Sequence, residues 1–240
     1  MKLLNFIKNN LFIQNFFGSL ISLIPTYLEF TLGKYTGIKK ALYITGHDKT
    51  FGSYIEFGVF TGSSFNFAMK VNKRIDKLLG NSNCNFIGFD SFEGFGKVEK
   101  SDDHPRFKDS TFSVNEEKVL KNIKKNSNNQ VYQIVKGFFH STLRKSPKDY
   151  NIIKARVILI DCDLKESVRD SLDFALNFVK NILQKGTIIL FDDYIFYKGD
   201  ENKGEFAAFE EFKKNNPNIK FRYAFEYGYG SKAFIVSDIK

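Results

Sequence analysis

ARVILIDCD, residues 155–163, is an apolar run rich in Val, Ile and Leu that finishes in Asp161 and Asp163. Three other segments read the same way: SYIEFG (53–58) with Glu56, NFIGFD (85–90) with Asp90, and TIILFDDY (187–194) with Asp192 and Asp193. A core strand has no structural use for an ionised side chain at its end, because burying one unpaired costs several kcal/mol or shifts its pKa. In open α/β sheets the carboxyl ends of parallel strands line the ligand crevice. Four strands ending in acid therefore predict a shared site on a parallel sheet.

Working outward, strands and helices alternate. Strands are expected at 53–57, 86–90, 131–135, 156–161 and 187–191, with helices at 63–77, 115–125, 166–183 and 204–214. Helix 166–183 carries Val168, Leu172, Ala175, Leu176 and Val179 at helical spacing. Two last strands, 219–226 and 232–237, flank the turn Tyr227-Gly228-Tyr229-Gly230 and read as an antiparallel hairpin. The pattern predicts an α/β fold: a mostly parallel, doubly wound, seven-stranded sheet with a C-terminal antiparallel hairpin. The stretch 91–114 is polar, Gly-rich and too long for an ordinary connection, which marks it as a functional loop.

The chain of 240 residues suits one such domain, with an N-terminal helical segment over 1–50 and the main domain over 51–240. Residues 3–32 are rich in Leu, Ile and Phe but broken by Lys8, Asn9, Asn10, Gln14, Asn15, Pro25 and Glu29. No unbroken stretch reaches the ~20 residues that span a bilayer, and no small-residue cleavage site follows a clean apolar region. Amphipathic helices packing on the domain or on a second subunit are expected, with peripheral membrane contact as the other reading. The net charge of +9 is lysine scattered along the chain, densest at KNIKKN (121–126), which reads as a solvated helix face. No zinc finger or aromatic-basic repeat points to nucleic acid. Cys84 and Cys162 are too few for a disulfide framework or a cysteine zinc site, and they suit a reducing cytoplasm.

Glu56-Phe-Gly58-Val-Phe-Thr61-Gly62 places glycines between a strand and a helix that opens at Ser63, which lets backbone approach a nucleotide-like ligand. The spacing is not the dinucleotide G-x-G-x-x-G, nor a P-loop. Asp90, at the end of the next strand, can accept hydrogen bonds from ribose hydroxyls. Asp161, Asp163, Asp192 and Asp193 offer three oxygen ligands from two adjacent strand ends, which suits a hard ion such as magnesium; the bland explanation is that one or two of them, Asp163 for instance, cap the following helices.

These residues resemble the macrocin O-methyltransferase family over roughly residues 50–238. The resemblance rests on the Glu56–Gly62 stretch, Gly88-Phe-Asp90-Ser91-Phe92-Glu93-Gly94, Gly137-Phe138-Phe-His140-Ser-Thr-Leu143, Asp161-Cys-Asp163-Leu, Asp192-Asp193-Tyr194 and Gly204–Phe212. It implies a Rossmann-like fold that uses S-adenosylmethionine (SAM) to methylate a sugar hydroxyl. Glu56, Gly58 and Gly62 would frame the methionine end of SAM, with Thr61 and Ser63 beside them. Asp90 would hold the ribose, Ser91 and Phe92 would lie near the adenosine, and Gly137 and Phe138 would border the adenine. Asp161, Asp192 and Asp193 fall where the family holds magnesium. After Asp163-Leu164 the chain departs from the family, with Lys165-Glu166-Ser167-Val168 in place of the usual Tyr and Ser-Thr.

An alcohol must lose its proton as the methyl arrives, so a carboxylate base is needed. Asp161 is the first candidate, Asp163 the second and His140 the third. Two other readings predict different features. An NAD-dependent oxidoreductase of a nucleotide-sugar needs the missing G-x-G-x-x-G. A non-catalytic protein on the same fold has no need of the acids.

Overall fold

The computed structural model describes residues 10–80, 84–94, 113–127, 129–162 and 166–240, with the side chains of 166–171 outside that description. Seven strands form one sheet: β1 (Ser53–Phe57), β2 (Phe86–Asp90), β3 (Tyr132–Lys136), β4 (Ala155–Ile160), β5 (Ile188–Phe191), β6 (Ile219–Tyr227) and β7 (Ser231–Ile239). Their order is β3-β2-β1-β4-β5-β7-β6. The first five pair in parallel, while β7 runs antiparallel to both β5 and β6. The fold is therefore the expected α/β sheet with a C-terminal hairpin, and its strand order reverses between β1 and β4, where ligands bind in such sheets.

Helices cover both faces. They are α1 (Leu11–Ser22), α2 (Thr26–His47), α3 (Ser63–Leu79), α4 (Glu116–Asn126), α5 (Phe139–Thr142), α6 (Glu166–Lys180) and α7 (Gly204–Asn215). Strand alternation divides the core. Phe57, Phe89, Ile158 and Ile160 face Leu172, Leu176, Val179 and Phe209 of α6 and α7. Tyr54, Phe86, Val157 and Leu159 face Ile38 and Leu42 of α2 and Phe65 and Met69 of α3. Strands buried on both faces read as continuous apolar runs, which is why β1, β4 and β5 were legible.

The N-terminal apolar segment splits in two. From Gly37 onward α2 buries a face in the core, with Ile38, Ala41 and Leu42 fully enclosed. Arg156, on β4 and 2% exposed, ties α2 and α3 to the sheet. Its guanidinium donates to Leu42 O (2.8 Å), Thr45 Oγ1 (2.9 Å), Asn72 Oδ1 (3.0 Å) and Asp76 Oδ1 (3.3 Å). By contrast α1 buries no residue, and it leaves Leu11, Phe12, Phe16, Phe17, Leu20 and Ile21 exposed. Among the described residues no single helix is long and apolar enough to cross a membrane; α1 and α2 meet at a bend of 85°.

Candidate active site

The β1–α3 turn and the end of β2 form one half of the site. Gly58 has φ +90°, and a Cβ there would overlap the Asp161 carbonyl, so the turn passes directly over the end of β4 and requires glycine. Gly62 (φ +77°) caps α3, followed by exposed Ser63. Asp90 secures this turn. Its Oδ2 accepts from the backbone N–H groups of Val59 and Phe60, both at 2.7 Å, and its Oδ1 accepts from Phe92 N at 2.6 Å. Burial raises the Asp90 pKa, and those three backbone bonds oppose the rise. Phe60 (φ +48°) and Phe92 (φ +60°) are both held in a left-handed conformation, unusual for bulky side chains and commonest where a ligand site over-determines the backbone.

A carboxylate offers about four acceptor positions. Three on Asp90 are taken by the chain, which leaves Oδ1 able to accept one hydroxyl proton. With the Gly58 turn beside it, exposed Thr61, and the Ser91 Oγ bound to Gly94 O at 3.0 Å, this half fits a ribose-bearing cofactor. Gly137 (φ +136°) and half-buried Phe138 follow the neighbouring β3, on the same side of the switch point.

Glu56 is not at the surface of this half. It is fully buried on β1, where Oε2 accepts from Tyr54 OH and Oε1 from Ser64 Oγ, both at 2.6 Å. Burial pushes its pKa up to about 8, against the two hydroxyl bonds. Its position braces β1 against the first turn of α3, and any part it has at the methionine end of a cofactor acts through that brace.

The second half lies at the ends of β4 and β5 and contains a residue sequence reasoning missed. Lys34, on α2, places Nζ 2.6 Å from Asp161 Oδ2 and 2.8 Å from Asp192 Oδ2. Burial alone would lower the Lys34 pKa; the Asp161 and Asp192 carboxylates outweigh it and hold the ammonium well above its ordinary value. Asp192 is fixed in turn by Ser231 Oγ, which donates to its carbonyl at 2.6 Å. Tyr227, at the end of β6, is 5% exposed, and its hydroxyl has no hydrogen-bond partner among the described residues. Burial, then the charges of Asp192, Glu205, Asp161 and Asp193, drive that hydroxyl's pKa far up.

The magnesium site expected at Asp161, Asp192 and Asp193 does not fit the described residues. Asp161 and Asp192 turn one oxygen each to a common point, and the Lys34 ammonium stands on it. Asp193 follows Asp192 directly and is 7% exposed, and its N–H donates to Glu205 Oε2 at 3.0 Å. Among the described residues no group of three or more His, Cys, Asp or Glu side chains could hold a metal ion.

Of the other expected site residues, Asp163 lies outside the described residues. His140 is exposed on α5, beyond β3, and stacks on Phe138 at 5.8 Å. β3 lies three strand positions from β4 in the sheet. Cys162 is half-buried and packs against the α6–α7 side of the core.

The sequence matches a family profile described as Macrocin-O-methyltransferase (TylF) over residues 35–220. Among solved structures, the O-methyltransferase NovP is 18% identical with a TM-score of 0.67, covering 85% of this chain and 80% of its own. The calicheamicin methyltransferase CalS11 is 19% identical with a TM-score of 0.62, covering 98% of this chain and 90% of its own. An O-methyltransferase from Bacillus cereus, solved with S-adenosylhomocysteine (SAH), is 15% identical with a TM-score of 0.50, covering 85% and 80%. At these identities the structural likeness shows a common fold. A search of curated proteins returns no match.

Proposed function

Because the chain belongs to the macrocin O-methyltransferase (TylF) family and is a SAM-dependent O-methyltransferase, we propose that it methylates a hydroxyl of a sugar, either nucleotide-linked or part of a glycan or natural-product glycoside. The observation that carries this reading is the pairing of two half-sites across the β1/β4 switch point. Asp90 with the Gly58 turn stands on one side, and Asp161 and Asp192 stand on the other. CalS11, also described as a TDP-rhamnose 3'-O-methyltransferase, supports a sugar as acceptor.

SAM supplies a methyl carbon whose bond to sulfur breaks, with the electron pair returning to sulfur, as the acceptor oxygen bonds to that carbon. The chain supplies position and charge. Asp90 would accept a ribose hydroxyl through Oδ1. Asp161 would take the acceptor proton: Lys34 occupies its Oδ2 and leaves Oδ1 to the hydroxyl. Oxygen, methyl carbon and sulfur must lie in line, so rigid half-sites on adjoining strand ends account for much of the rate. No step in this reading passes through a divalent ion.

Calorimetric titration with SAM, SAH and NAD, followed by mass spectrometry of a sugar panel after incubation with SAM, tests the reading. SAH binding together with a methylated nucleotide-sugar or glycoside is expected. NAD binding without SAH binding would overturn it, and so would methylation of catechols alone. A count of two cysteines, too few for a disulfide framework, supports a cytoplasmic setting. The exposed apolar face of α1 supports a homo-oligomer.

A further inference from the structure

The N-terminal half of α2 runs past the ends of β4 and β5, and the packing there is specific. Tyr229, in the β6–β7 turn, donates its hydroxyl to Glu29 and stacks on Phe30 with ring centroids 6.5 Å apart. A Cβ on Gly33 would overlap the Gly228 backbone, and one on Gly37 would come within 2.6 Å of the Tyr227 ring. Tyr35 stacks on Phe67 of α3 at 4.3 Å. The two glycines let the helix close on the hairpin, and Lys34 lies between them. Its side chain is 17% exposed, against 15% for Asp161 and 2% for Asp192.

We propose that Lys34 is the built-in cation of this site, taking the place of a divalent ion at Asp161 and Asp192 and giving the acceptor oxygen its positive partner. The second half rests on the methyl-transfer reading above; the first does not.

Three arguments carry it. A divalent ion shared by Asp161 and Asp192 would sit where their Oδ2 atoms converge, ~2.0–2.1 Å from each; Nζ stands at that point, so ion and ammonium exclude each other there. The charge balance is already sensible: two carboxylates and one ammonium leave a single negative charge, suited to a cationic methyl donor. An ammonium also has three N–H bonds. Two go to Asp161 and Asp192, and the third is available to an oxygen that gains negative charge as its proton leaves, the task a metal performs as a Lewis acid. The buried Tyr227 hydroxyl, which has no hydrogen-bond partner among the described residues, offers a further polar contact for a ligand beside this cluster.

The test uses the full chain as wild type, Lys34→Met, and Lys34→Met combined with Asp192→Asn. Manganese binding is followed by electron paramagnetic resonance and SAH binding by calorimetry. Removing the ammonium should open the two carboxylates to the ion. Lys34→Met is therefore expected to bind manganese at least ~10-fold more tightly than wild type, since metal binding here competes with a charged hydrogen bond. Asp192→Asn should cancel that gain, an effect no merely structural lysine would produce. With an accepted sugar, wild type should keep its turnover in excess EDTA. Lys34→Met should lose ~100-fold, the scale of one preorganised charge donor, and recover part of it with manganese.

Equal manganese affinity in wild type and Lys34→Met would overturn the proposal. So would a wild-type turnover abolished by EDTA and restored by magnesium, which decides the matter even if Lys34→Met fails to fold. A wild type that excludes manganese yet fails to bind SAH would sink the methyl-transfer reading and leave the exclusion intact.

Discussion

At the scale of single residues, burial and hydrogen bonding pull against each other on both acids of the β1–β2 half. For Glu56, burial wins and its pKa rises from 4.5 to about 8. Between those values the folded chain holds a proton that the unfolded chain has released. Stability is full below the unfolded value, falls as pH rises, and the contribution is gone once pH passes the folded value. Glu56→Gln imitates the protonated form and has no such dependence. Thermal melts should therefore show wild type losing stability from about pH 5 to about pH 8, by a margin on the order of a few kcal/mol, while Glu56→Gln changes much less. Parallel curves for the two proteins would show that Glu56 is ionised in the fold. Asp90 gathers three backbone N–H groups from two loops. Asp90→Ala should cost stability by about 1–3 kcal/mol and weaken SAH binding by ~10-fold or more. Unchanged SAH affinity in a folded Asp90→Ala protein, read by calorimetry, would remove Asp90 from the cofactor site.

At the scale of elements, the contact between α2 and the β6–β7 hairpin decides whether Lys34 reaches the acids. Gly33 and Gly18 provide a matched pair. A Cβ on Gly33 would meet the Gly228 backbone, which cannot move aside, whereas a Cβ on Gly18 in α1 meets nothing within 4 Å among the described residues. Gly33→Ala should lower the melting temperature by an amount equivalent to about 1–3 kcal/mol. Gly18→Ala should leave it level or raise it slightly, since alanine favours an exposed helix interior by up to ~1 kcal/mol. Equal effects would mean that the close approach of α2 to the hairpin is not real. This contact also marks the limit of what the sequence discloses. The strands and their terminal acids were legible because a strand buried on both faces reads as an unbroken apolar run. Lys34 was not, because it stands 127 positions from Asp161 on a helix whose pattern says nothing of what lies opposite. Asp192 and Asp193 follow the end of β5 in a bend, where strand alternation does not tell which way either side chain turns. The Tyr54 and Ser64 bonds to Glu56 are local, and the i+2 spacing on β1 already put Tyr54 on the same face.

At the scale of the whole molecule, the uncovered apolar surface is α1. It carries Phe12, Phe16, Phe17, Leu20 and Ile21 on one side and Gln14, Asn15, Ser19 and Ser22 on the other, and none of its residues is buried. So many exposed aromatic and aliphatic side chains on one helix call for cover. Two covers compete, and charge separates them. Helices that lie on membranes hold to anionic headgroups through Lys and Arg along the polar face. From Asn10 to Leu28 this chain has no charged residue at all, although its net charge is +9. A second copy requires no such charge: the same apolar face meets itself about a two-fold axis, the commonest way a protein forms a dimer. Removing residues 1–24 should therefore reduce the mass measured by sedimentation to that of one chain, while the α2 residues that enter the core, from Gly37 onward, keep the domain folded. Full-length protein that already sediments as one chain would end the oligomer reading. Full-length protein that pellets with neutral lipid vesicles, when the truncated form does not, would give α1 to the membrane instead.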